Sequence, residues 1–107
     1  MEELSKTAEY ILWYACSIYN QRLTSRPNMP NIRHFMSDFY QSDKRLSGIS
    51  KDEINLSLAE LKQKGYIRLY IRGNFTLLQP GIIYIKNKPK RLFREIFDCL
   101  KQLNPLK

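Results

Sequence analysis

One passage constrains the fold more than any other. Residues 49–78, ISKDEINLSLAELKQKGYIRLYIRGNFTLL, pass from a capped helix through a glycine into a strand, a tight turn and a return strand. Ser50 and Glu53 have the spacing of a capping box, in which hydroxyl and carboxylate each satisfy an orphan backbone donor. Ile54, Leu58 and Leu61 recur on one helical face, Lys62 and Lys64 complement the C-terminal dipole, and Gly65 ends the helix. Ile67, Leu69 and Ile71 then alternate with Tyr66, Arg68, Tyr70 and Arg72, the period of a half-buried strand. Gly73-Asn74 tolerates the positive φ angles of a hairpin turn, and Phe75–Leu78 returns. A helix followed by a hairpin over 66–78 is the unit around which the remaining segments must fit.

The flanking segments are helical in pattern. Leu4, Ala8, Ile11, Ala15 and Ile18 make one apolar face of a helix over 3–22. Tyr10, Leu12, Trp13, Tyr14, Cys16 and Tyr19 extend it to nearly every side. Such a helix needs cover on more than one surface, from a second subunit or from the chain's own core. TSRPNMP reads as a loop. NIRHFMSDFYQ reads as a short helix, capped by Asn31, with Ile32, Phe35, Met36 and Phe39 inward. QSDKRLSG is a second loop. Pro80 suits the first turn of another helix, NKPK interrupts it, and RLFREIFDCLKQL completes a helical region over 80–103.

The 107 residues are enough for one domain, 1–107, and 43% of them are hydrophobic, as in ordinary globular chains. No apolar run approaches the roughly 20 residues that span a membrane. The acidic N-terminus does not read as a secretory signal, so a cytoplasmic protein is expected. Cys16 and Cys99 lie far apart without CxxC spacing, and His34 is the single histidine. Those spacings argue against zinc, and no cofactor is expected. Neither a histidine-plus-nucleophile grouping nor a phosphate-cradling glycine loop is present, so the chain reads as a non-enzyme.

Charge is unevenly placed. Residues 1–61 hold seven Lys/Arg and eight Asp/Glu, a net of −1. Residues 62–107 hold eleven Lys/Arg and two acids, a net of +9. A basic half of this kind suits an anionic partner, nucleic acid above all.

The words ISKDEINLSLAELKQKGYI and FTLLQPGIIYIKN resemble, in turn, the recognition helix with its entry into the wing, and the second wing strand with the helix start that follows. The resemblance is to winged helix-turn-helix proteins of the bacterial MarR-, PadR- and YjcQ-like kind, over roughly residues 31–87. Gln79 departs mildly from the pattern before the proline. The resemblance implies an α+β, mostly helical fold. It would comprise a helix-turn-helix over 31–64, a short two-stranded wing, and extra N- and C-terminal helices that dimerise. It also implies DNA binding, as a transcriptional regulator or an accessory factor of a bacterial or mobile element.

Residue by residue, the third helix is poorly charged for that task. Asp52, Leu56, Ala59 and Gln63 point outward, leaving Lys51 for a phosphate and Asn55 for a base edge. The wing is better equipped, since alternation puts Arg68, Tyr70 and Arg72 in one outward row. Arginines there can neutralise phosphate, and the tyrosine can stack on an unpaired base. A third cluster, Lys86, Lys88, Lys90, Arg91 and Arg94, contains no acid. Its cations near a helix start oppose the dipole, a conflict an anionic partner relieves. Two further functions fit the same residues. One is sequence-tolerant binding of single-stranded nucleic acid, and the other is a protein–protein adaptor using Leu56 and Ala59.

Overall fold

The computed structural model describes residues 4–88, which form a mostly helical α+β body with a small antiparallel sheet. Helix α1 spans Lys6–Ser25. Its N-cap, Ser5, accepts a hydrogen bond from the Ala8 N–H at 3.2 Å. The Ser5 N–H in turn donates to Glu60 at 2.8 Å, so the cap also anchors the helix to a distant segment. Tyr10, Ile11, Leu12 and Ala15 are buried, and Trp13, Tyr14, Ile18 and Tyr19 pack partly buried against the same core. The chain's own core, one of the two sources the pattern allowed, therefore supplies much of the cover for this all-round apolar helix.

Helix α3, Lys51–Gln63, is one source of that cover, packing against α1 through Ile54, Leu58 and Leu61. Each such aliphatic side chain removed from water stabilises by roughly 1.5–3 kcal/mol. Ser50 caps the helix by accepting from the Glu53 N–H at 3.1 Å. At the other end Gly65 takes φ +81°, and the Gly65 and Tyr66 N–H groups donate back to Lys62 and Leu61. This is the left-handed helix stop that glycine accommodates without strain.

The helix expected over 31–41 does not form. Asn31 is left-handed at φ +54°, whereas an N-cap residue is extended. His34–Phe35 instead make strand β1, followed by a 3-10 turn at Phe39–Ser42 and a one-turn helix α2, Lys44–Ser47. Apolar spacing misled here because an aromatic cluster satisfies the same residues differently. Phe35 stacks on Phe75 at 5.0 Å and 10°, and Phe39 meets the same ring edge-on at 5.0 Å. Such ring pairs add about 0.5–1.5 kcal/mol each beyond simple burial. Met36, expected inside, is 59% exposed. Asp43 caps α2 through the Arg45 and Leu46 N–H groups, and both its oxygens lie 3.0 Å from the buried Tyr10 hydroxyl.

Strands β2 (Ile67–Leu69) and β3 (Phe75–Leu77) join β1 in a three-stranded sheet of order β1-β3-β2, not the two-stranded wing expected. Phe35, Phe75 and Leu69 lie in register toward the core, and His34, Thr76 and Arg68 form the corresponding outward row. The turn between β2 and β3 also departs from expectation. Its positive φ values fall on Arg72 (+74°) and Gly73 (+85°), while Asn74 is extended at φ −70°. Asn74 instead accepts from the Ser37 N–H at 2.8 Å, tying the turn to the segment after β1. With the turn displaced, Ile71 is 87% exposed and leaves the core it was expected to join.

Helix α4, Gln79–Lys86, carries Pro80 in its first turn and buries Ile82 and Ile85. Gly81 sits against the hairpin so closely that a Cβ would lie 2.6 Å from the Tyr66 carbonyl oxygen. At the far end of α4, the Tyr84 hydroxyl donates to Glu9 at 2.9 Å, and the Lys88 ammonium lies 3.3 Å from the same carboxylate oxygen. No helix among the described residues is long and apolar enough to cross a membrane.

Candidate functional site

Lys51 opens α3, Asn55 lies one turn further on, and Arg72 occupies the left-handed corner of the β2–β3 turn. These three side chains line one cleft of about 140 Å³. Its remaining wall is the stretch after β1, including Ser37, Asp38 and Tyr40, and Ile54 and Leu58 contribute where the cleft meets the core. The arrangement follows from local structure. Ser50 fixes where α3 begins and so places Lys51 and Asn55 on its exposed first turns. The Asn74–Ser37 hydrogen bond holds the turn beside the third wall, where a Cβ at Gly73 would lie 3.5 Å from the Ser37 side chain.

Electrostatically the cleft combines one ammonium, one guanidinium and the single carboxylate of Asp38. No side-chain hydrogen bond or ion pair among the described residues engages Lys51, Asn55 or Arg72. Two cations without an ion-pair partner among the described residues, beside a carboxamide, can hold a phosphate oxygen and offer a donor–acceptor pair to a base edge.

The expected outward row of Arg68, Tyr70 and Arg72 is not a row. Because β2 stops at Leu69, Arg72 turns into the cleft, whereas Arg68 and Tyr70 remain on the outward side of the sheet. There Tyr70 meets His34, their ring centroids 5.7 Å apart. His34 falls in the segment 31–41 expected to be helical, which concealed its place on the sheet. Ser37, Asp38 and Tyr40 were missed for the same reason. The readable clue was Asp43 three residues before Leu46, the spacing of a capped helix start.

The third basic cluster divides differently. Lys86 is exposed in the last turn of α4. Lys88 is engaged by Glu9 and lies over the Tyr84 ring at 4.8 Å. Burial works to lower the Lys88 pKa, but Tyr84 and Glu9 outweigh it and hold the ammonium above its ordinary range. Neither lysine lines the cleft. Lys90, Arg91 and Arg94 lie outside the described residues. Burial pushes the Cys16 thiol up to about 12, so it is a protonated core group rather than a nucleophile. No group of three or more His, Cys, Asp or Glu able to hold a metal occurs among the described residues.

No protein-family model, curated protein or solved structure matches the chain. Its chemistry must be read from its own geometry.

Proposed function

We propose that the chain is a DNA-binding protein of winged-helix type, non-enzymatic, whose α3 and β2–β3 turn hold duplex DNA together. The observation that carries this is the convergence of Lys51, Asn55 and Arg72 on one cleft, from two segments and without internal partners. The order α1, β1, α2, α3, β2, β3, with its three-stranded sheet, supports the winged-helix part. In this arrangement Lys51 and Arg72 neutralise phosphate, and Asn55 faces a base edge. The acids Asp52 and Glu53 on α3 explain why the turn must supply part of the charge. A role as transcriptional regulator or accessory factor belongs to the same proposal.

The test is a titration of labelled duplex DNA at several salt concentrations. Affinity should fall steeply with salt, and replacing both Lys51 and Arg72 by alanine should flatten the log–log slope by roughly 1–2. Absence of binding at low salt, or a slope the double variant leaves unchanged, defeats the proposal. Leu56, 67% exposed on α3, supports a second reading as a protein adaptor, which failure of DNA binding would promote. A homodimer through the first and last helices remains a separate proposal. Light scattering decides it, and a monomer at the concentrations that bind DNA would reject it.

A further inference from the structure

The outward side of the sheet carries an arrangement that duplex binding in the cleft does not use. Across the three strands His34, Thr76 and Arg68 stand in register. Tyr70, beyond Arg68 on β2's continuation, turns back over the same side and meets His34 at 5.7 Å with the rings inclined at 51°. A polar chain fixes both rings. His34 Nδ1 is 3.1 Å from the Thr76 hydroxyl, which donates to the Tyr70 hydroxyl at 3.4 Å. Tyr70 nevertheless keeps 42% of its surface exposed. A large ring held in place and left open is a preorganised stacking surface.

Charge identifies the occupant. Arg68 is exposed and has no internal partner among the described residues. Between Leu61 and Lys88 the sequence contains no aspartate or glutamate. Asp38, the acid nearest β1 in sequence, lines the cleft. An aromatic platform flanked by a free guanidinium, without a carboxylate on the same strands, matches a nucleobase joined to its phosphate. Duplex DNA cannot use such a platform, because its bases are stacked on each other.

We propose that this sheet face binds single-stranded nucleic acid, with Tyr70 and His34 stacking an unpaired base and Arg68 contacting its phosphate. The site is distinct from the cleft, although the β2–β3 hairpin contributes to both. Binding here stands whether or not the cleft holds duplex.

The probe is a labelled oligothymidylate of about 12 nucleotides, a length that covers typical single-strand site sizes. It is titrated into the full chain by fluorescence anisotropy beside a mixed-sequence duplex. Tyr70→Leu should weaken oligothymidylate binding about tenfold, whereas Tyr70→Phe, which keeps the ring, should stay within about twofold. His34→Ala and Arg68→Ala should each reduce it, and duplex affinity should depend on Lys51 and Arg72 instead. Circular dichroism checks that each variant is folded. The proposal is overturned if oligothymidylate does not bind at low salt, or if Tyr70→Leu and Tyr70→Phe behave alike. It is equally overturned if Tyr70→Leu changes only the oligomeric state, which would make the face a contact between protein copies. Loss of duplex binding with single-strand binding intact would reject the cleft and leave this site standing.

Discussion

The seam between α1 and α4 and the cleft between α3 and the β2–β3 turn both bring cations onto folded structure, and they treat them oppositely. At the seam, Lys88 meets a 90%-buried carboxylate side chain and the face of Tyr84, and each polar partner is answered. In the cleft, Lys51 and Arg72 converge with no partner of their own among the described residues. Like charges gathered without ion pairs weaken a fold, whereas a cation paired with a buried acid does not. The contrast separates basic residues that hold the chain together from basic residues that carry no such pairing. A count of lysines and arginines along the second half cannot make that separation.

The largest expected effect removes the core beneath both regions. Phe75→Ala deletes the ring shared by Phe35 and Phe39 and should cost about 3–5 kcal/mol. Urea unfolding followed through Trp13 fluorescence measures it, and a loss below 1 kcal/mol would mean that the aromatic cluster does not hold the sheet. Next, Glu9→Ala should destabilise by about 1–2 kcal/mol by stranding the Tyr84 hydroxyl and Lys88, a value reduced because Lys88 retains 20% exposure. Duplex affinity should not change, since the seam is apart from the cleft. A fall in affinity parallel to the fall in stability would erase the contrast. The smallest effect has the opposite sign. Arg72→Gly relieves a left-handed backbone that costs an L-residue roughly 1 kcal/mol, so stability should rise while duplex affinity falls. If both rise, Arg72 is not a contact.

Helix α3 was legible in the sequence because its signals are local and agree. Ser50, the Ile54–Leu58–Leu61 spacing and Gly65 all act within a few residues of one another. Pro80 marked α4 for the same reason. Residues 31–47 were illegible because Phe35 and Phe39 answer to Phe75, and spacing alone cannot distinguish a helix face from one ring cluster. The displaced turn has a similar origin, since Asn74 is drawn into an extended conformation by Ser37, far away in sequence. Lys51, Asn55 and Arg72 each stand in the sequence as candidate contacts. Their convergence is not legible there, because the cleft's third wall belongs to the misread segment. Lys88 reads as a free cation in the sequence because its partner, Glu9, lies at the other end of the described chain.

That distance has a consequence during synthesis. Helix α1 is synthesised before the surfaces that cover it, α3 and α4. At about 5–20 residues per second, Tyr10, Ile11 and Leu12 wait several seconds in water before their partners arrive. A nascent chain stalled before Gln79 therefore displays a sticky, nearly complete apolar helix, the kind of segment that general chaperones grip. Release of such a chain from its chaperone should coincide with the emergence of α4, when Tyr84 reaches Glu9 and the first helix is finally enclosed.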